Sequence, residues 1–142
     1  MRQNWDRYFI DIAHMIASRA TCDRLFAGAV IVKNNMILST GYNGSIRGLS
    51  HCSEVGHEMV NDHCLRTIHA EINAIAQAAR VGVSVEEAIM YSTVAPCYIC
   101  FKAIANTGIK AIVHDGIYDK ITYYSQAEEA GIILEDISKR ET

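Results

Sequence analysis

Trp5, Tyr8, Phe9, Ile12, Ala13 and Ile16 recur at intervals of three and four residues, a period that predicts an amphipathic helix with its apolar stripe toward a core. Segments 27–32 and 36–42 are apolar runs rich in strand formers. Between them stands Asn34-Asn35, a pair that tolerates the positive φ of a tight turn, so the two runs predict an antiparallel hairpin. From 43 to 66 the periodicity fades into Gly, Ser, His and Asp; so long an irregular stretch in a compact domain is usually functional or pinned by a ligand. The pattern then alternates. Helices are expected over 70–81, 97–106 and 122–130, with strands over 88–92, 111–115 and 132–134 between and after them. Strands alternating with helices predict a sheet covered on both faces, an α/β fold in the form of a three-layer α/β/α sandwich. The charged tail after Glu135 reads as frayed.

Composition narrows the picture without changing it. A chain of 142 residues, half of them hydrophobic and a fifth charged, suits one soluble globular domain over 1–142. Its formal charge of −3, with Lys and Arg scattered, offers no general attraction to a polyanion, so nucleic acid is not an expected partner. Arg2, Asp6, Arg7 and Asp11 interrupt the first twenty residues, which leaves neither a signal-peptide core nor a membrane span and predicts a cytoplasmic location. Five cysteines, an odd count without a secretory signal, point to metal ligands or core thiols rather than a disulfide framework.

Two short segments carry the chemistry: His69-Ala70-Glu71 and Pro96-Cys97-Tyr98-Ile99-Cys100. One imidazole and two thiolates form a three-ligand set that leaves the fourth tetrahedral position of zinc for water, whose pKa the metal lowers toward neutrality. His69 would open one helix and Cys97 and Cys100 the next. The unpaired N–H groups at a helix start favour thiolate over thiol, and Pro96, the single proline, suits the entry to a helix. Glu71, two residues past His69, is placed to take a proton from the bound water and pass it on as a general base and acid. Either fragment alone is as often structural as catalytic, but a purely structural site would have no use for Glu71.

His-x-Glu followed by Pro-Cys-x-x-Cys is the signature of zinc nucleobase deaminases. With Gly41-Tyr42-Asn43-Gly44 and the run from Cys64 through Arg66-Thr67-Ile68-His69-Ala70-Glu71 to Ala74, the chain resembles the deoxycytidylate deaminases from about Trp5 to Tyr118. That resemblance implies a mixed five-stranded sheet, hydrolysis of dCMP to dUMP and ammonia to supply thymidylate synthesis, and a homohexamer activated by dCTP and inhibited by dTTP. It also implies that Asn43 holds the sugar, that Thr93 after the strand borders the base, and that Tyr118 stacks on the base or covers the pocket. Gly44 and Ser45 would belong to the nucleotide-effector loop, although the family carries proline where this chain has Ile46.

Cys22, Cys52 and Cys64 remain, interleaved with His51, His57 and His63 around the irregular stretch. Three thiolates and an imidazole would make a closed structural zinc site that pins a loop. Some members of the family it resembles carry such a second site, often with cysteine at the position of His57, which suggests Cys22, Cys52, His57 and Cys64, with His63 as the competing fourth ligand. Buried free thiols are the plainer reading of the same residues. Arg24, Arg47, Arg66 and Lys102 are candidates to meet phosphate or are surface charges. Rival readings of the whole chain are a zinc deaminase for a free nucleoside, a tRNA adenosine or another heterocycle, and a zinc-stabilised binding protein without turnover.

Overall fold

A computed structural model describes residues 1–22, 25–57, 59–60, 63–64, 66–118 and 120–140, with backbone alone at 52, 53, 60, 63 and 64. In chain order it contains α1 (Trp5–Ala17), β1 (Gly28–Lys33), β2 (Met36–Tyr42), β3 (Gly44–Ser45), α2 (Cys52–Val55), β4 (Met59–Val60), β5 (His63–Cys64) and β6 (Thr67–Ile68). There follow α3 (Ala70–Val81), β7 (Ile89–Ser92), α4 (Tyr98–Ala105), β8 (Ala111–His114), α5 (Tyr124–Ala130), β9 (Ile133–Asp136) and a 3₁₀ turn, Ile137–Lys139.

The main sheet has the order β2-β1-β7-β8-β9. β1 lies antiparallel to both β2 and β7, whereas β7, β8 and β9 run parallel, so the sheet is mixed and five-stranded. The hairpin turns through Asn34 and Asn35 at φ 52° and 61°, the backbone that a two-residue turn between twisted strands requires. Strand alternation then sorts the side chains. Val30, Val32, Tyr91 and Val113 face α1, where they pack with Phe9, Ile10 and Ala13; Ala29, Ile31, Met90 and Ile112 face the opposite layer with Ala74, Phe101, Ile104 and Ala127. Two successive crossovers stepping the same way across the sheet carry α4 and α5 to one face, beside α3, and leave the other to α1. Phe9 and Ile10 are buried by this packing, each worth roughly 1.5–3 kcal/mol relative to exposure.

Two glycines let helix backbone press directly on strand backbone. A Cβ on Gly28 would meet Ala13 O and Ala17 N of α1, and one on Gly41 would collide with Ala70 O and Ala74 N of α3. Ser39 Oγ donates to Ala74 O (2.7 Å) and Asn73 Nδ2 to Tyr42 O (2.9 Å), which tie α3 to β2 at that close approach. Gly41→Ala is therefore expected to destabilise the fold by roughly 1–3 kcal/mol, because the neighbours are backbone and cannot rotate away. A fall in the urea midpoint without a change in slope would register it.

The tail departs from expectation. As far as Arg140 it is held rather than frayed, because Ile137 is buried against α1 and β8 and Arg140 pairs with both Asp6 (3.0 Å) and Glu135. Asp6 also accepts from the Tyr91 phenol at 2.7 Å, so one carboxylate of α1 joins the sheet to the chain end. Described segments of the 43–66 stretch are paired as well. β3 pairs with β6, β4 pairs with β5, and Arg66 donates twice to Ser50 O (3.1 and 2.7 Å), which fastens the start of the stretch to its end.

Candidate active site

His69 and Cys97 each sit immediately before the first turn of a helix, in extended backbone (φ −66°, ψ 149° and φ −68°, ψ 168°). Their side chains therefore leave from helix starts whose N–H groups carry partial positive charge. α3 and α4 pack side by side on one face of the sheet, and this brings the two starts together. His69 Nδ1 lies 3.2 Å from Cys100 Sγ and 3.5 Å from Cys97 Sγ, with all three ligand atoms within 4.8 Å of one another. Among the described residues this is the one His, Cys, Asp or Glu group able to hold a metal. Zinc bonds of about 2.1 Å to nitrogen and about 2.3 Å to sulfur in a tetrahedron separate N and S by about 3.5 Å, so the donor set fits the ion.

The electrostatics are those of a site prepared for a cation. The Cys100 thiol hydrogen-bonds Cys97 and pulls its thiol down to about 4, and the same bond together with burial pushes the Cys100 thiol up. The pair gives up its first proton readily and holds the second; a dication between the sulfurs would displace both. Tyr123 is buried behind the start of α4. Its phenol donates to Pro96 O at 2.6 Å and its ring stacks on Phe101 at 4.1 Å, which holds the Pro96-Cys97 entry onto α4.

Glu71 is 4% exposed and sits in the first turn of α3, beside the ligands. Burial raises its carboxyl above the ordinary range, against the hydrogen bonds from Ser92 and Cys100 and the field of His69. A carboxyl raised in this way holds a proton more firmly than an exposed one, which suits a group that has to take up a proton and return it. Its partner Ser92 was missed by sequence reasoning, which saw it only as the end of a strand. The signal was its parity with Met90, two residues earlier on the face that meets α3.

The other expected site residues have structural partners. Asn43 is buried, accepts from Ala27 N (2.8 Å) and donates to Leu25 O (2.6 Å), which leaves one N–H and one lone pair on its amide. Thr93 is buried just past β7, where its Oγ1 accepts from Gly28 N at 3.1 Å. Tyr118 is half exposed, past the end of β8; Ala95 N donates to Gly116 O (3.0 Å), so its loop runs against the loop that leads into Cys97. Gly44 and Ser45 form β3 rather than an open loop, with Ser45 N donating to Thr21 Oγ1 at 2.9 Å. Ser45 Oγ is shielded from solvent and has no hydrogen-bond partner among the described residues.

Of the second ligand set, Cys22 Sγ stands 3.7 Å from His57 Nδ1. The side chains of Cys52, Cys64 and the competing His63 lie outside the described part, as does Arg24. Lys102 stands over the ring of Tyr98 at 4.8 Å.

Comparison with known proteins agrees with this geometry. The family model "Cytidine and deoxycytidylate deaminase zinc-binding region" matches residues 3–115. ComE operon protein 2 of Bacillus subtilis is 42% identical over 137 residues, covering 96% of this chain and 72% of its own length. The deoxycytidylate deaminase of Schizosaccharomyces pombe is 36% identical over 94% of this chain, which spans only 44% of that protein. Among solved structures, the dCMP deaminase of cyanophage S-TIM5 in complex with dCMP and dUMP superposes with a TM-score of 0.82 at 27% identity, over 96% of this chain and 99% of the other. The chain belongs to the cytidine and deoxycytidylate deaminase family.

Proposed function

We propose that this protein hydrolyses dCMP to dUMP and ammonia, with zinc held by His69 Nδ1, Cys97 and Cys100. The observation that carries the reading is the convergence of those three donors beside a buried Glu71, in a chain similar to deaminases whose names specify dCMP. Zinc there would supply a hydroxide nucleophile at neutral pH for C4 of cytosine. Glu71 would take one proton from the attacking water and give it to N3, then take a second from the oxygen added at C4 and give it to the amine, which leaves as ammonia. Asn43 would use its remaining amide valences on the sugar, Thr93 would border the base, and Tyr118 would cover it from the loop beside Cys97.

The same reading extends to a second, structural zinc on Cys22, Cys52, His57 and Cys64, supported by the Cys22–His57 approach. It includes a homohexamer in the cytoplasm, one deaminase domain over 1–142, and control by dCTP and dTTP at Gly44 and Ser45 of β3. The Ser45 hydroxyl, without a partner among the described residues, supports a polar ligand there. Among the described residues no helix is long and apolar enough to cross a membrane.

One paired experiment tests the reading: metal per chain and native mass of the purified protein, then ammonia release from dCMP, deoxycytidine, cytidine and a tRNA anticodon stem. Preferential turnover of dCMP, raised by dCTP and lowered by dTTP, with two zincs per chain, is the expected result. Turnover of another substrate in preference to dCMP would overturn the substrate, and one zinc per chain would remove the structural site.

A further inference from the structure

Ser92 has no place in the ligand set, yet it is wholly buried at the catalytic end of β7. Strand alternation turns it with Met90 toward α3, where its Oγ lies 3.0 Å from Glu71 Oε1 and 2.7 Å from Val94 O. We propose that Ser92 is the positioning residue of Glu71: its hydroxyl anchors one carboxylate oxygen to the rigid sheet and so sets the angle at which Glu71 addresses the ligands. This rests on the deaminase reading above.

The geometry favours such a role in two ways. Glu71 rides on α3, while Ser92 belongs to a strand paired on both sides, with Ala29 of β1 and His114 of β8, so the bond ties the acid on the helix to a strand held from both edges. The hydroxyl also lies within hydrogen-bond reach of both Glu71 Oε1 and the Val94 carbonyl just past the strand, so its position between acid and backbone is fixed from two sides.

The test compares Ser92→Ala and Ser92→Thr, alone and in the Glu71→Gln background, by kcat and KM for dCMP and by bound zinc. Ser92→Ala is expected to lower kcat roughly 10–100-fold, the worth of one hydrogen bond to a charged group, with KM and zinc unchanged. Ser92→Thr, which keeps the hydroxyl, should recover most of the rate. In the Glu71→Gln background Ser92→Ala should cost little more, because the residue acts through the acid that is already gone. A wild-type rate in Ser92→Ala, or a full additional loss on top of Glu71→Gln, overturns the proposal while the deaminase reading stands. A wild-type protein inert toward dCMP overturns that reading first, and this proposal with it.

Discussion

Glu71→Gln is expected to lower kcat for dCMP by on the order of 10²–10⁴-fold, the range that a positioned acid and base contributes. Gln keeps the volume and a carbonyl oxygen for Ser92 to donate to, so the packing of α3 and the Ser92 contact survive. What disappears is the capacity to take up a proton and release it. Zinc content should be unchanged, since Glu71 is not one of the three donors that converge. KM should move little, because the lost interaction belongs to the transition state rather than to substrate binding. Steady-state kinetics beside a metal assay checks all three points. Unchanged turnover would mean that protons move by another route and that burial of this carboxyl is incidental to the chemistry.

Cys100→Ser carries the second large effect, loss of both metal and turnover. Serine is nearly the same size, but its hydroxyl does not ionise near neutrality and is a poor ligand for zinc, whose sites in proteins are built from thiolate, imidazole and carboxylate. Cys100 is also the residue that pulls down Cys97 and bonds Glu71, so its loss disturbs the other sulfur and the acid together. Activity should fall to background and bound zinc at the catalytic site should be lost. An independent readout comes from linkage: a metal that binds only the folded chain raises its apparent stability, by about 4 kcal/mol at a thousandfold excess over Kd. A chelator should therefore lower Tm in the wild type more than in Cys100→Ser. Equal shifts in the two proteins would show that Cys100 does not hold the ion.

The helices and strands that the hydrophobic periods predicted are present, because each is long enough for its period to repeat and each faces one packed layer. The 97–106 helix begins one residue later than expected, with Cys97 as its cap. Cys97 and Cys100, one turn apart behind Pro96, were readable as a candidate metal pair because both are set by local spacing. Gly41 was readable only as part of a motif. Its physical reason, backbone of α3 in contact with β2, depends on a helix that begins 29 residues later. The tail was misread for a similar cause. Ile137 and Arg140 look like the end of a charged segment until α1 supplies the surface and the Asp6 carboxylate that hold them. Ser92 escaped notice because a lone serine at a strand end carries no period of its own.

Residue order along the chain was enough to determine the strand-helix alternation, the three candidate donors and the presence of an acid two positions past the histidine. Those properties live in neighbours a few positions apart, where helical and strand geometry dictates spacing. Tertiary structure alone decided that the starts of α3 and α4 meet, that Glu71 is buried and its proton affinity raised, and that a strand serine holds it. Each of these depends on distance between segments far apart in sequence and on the exclusion of water between them, which no local pattern encodes.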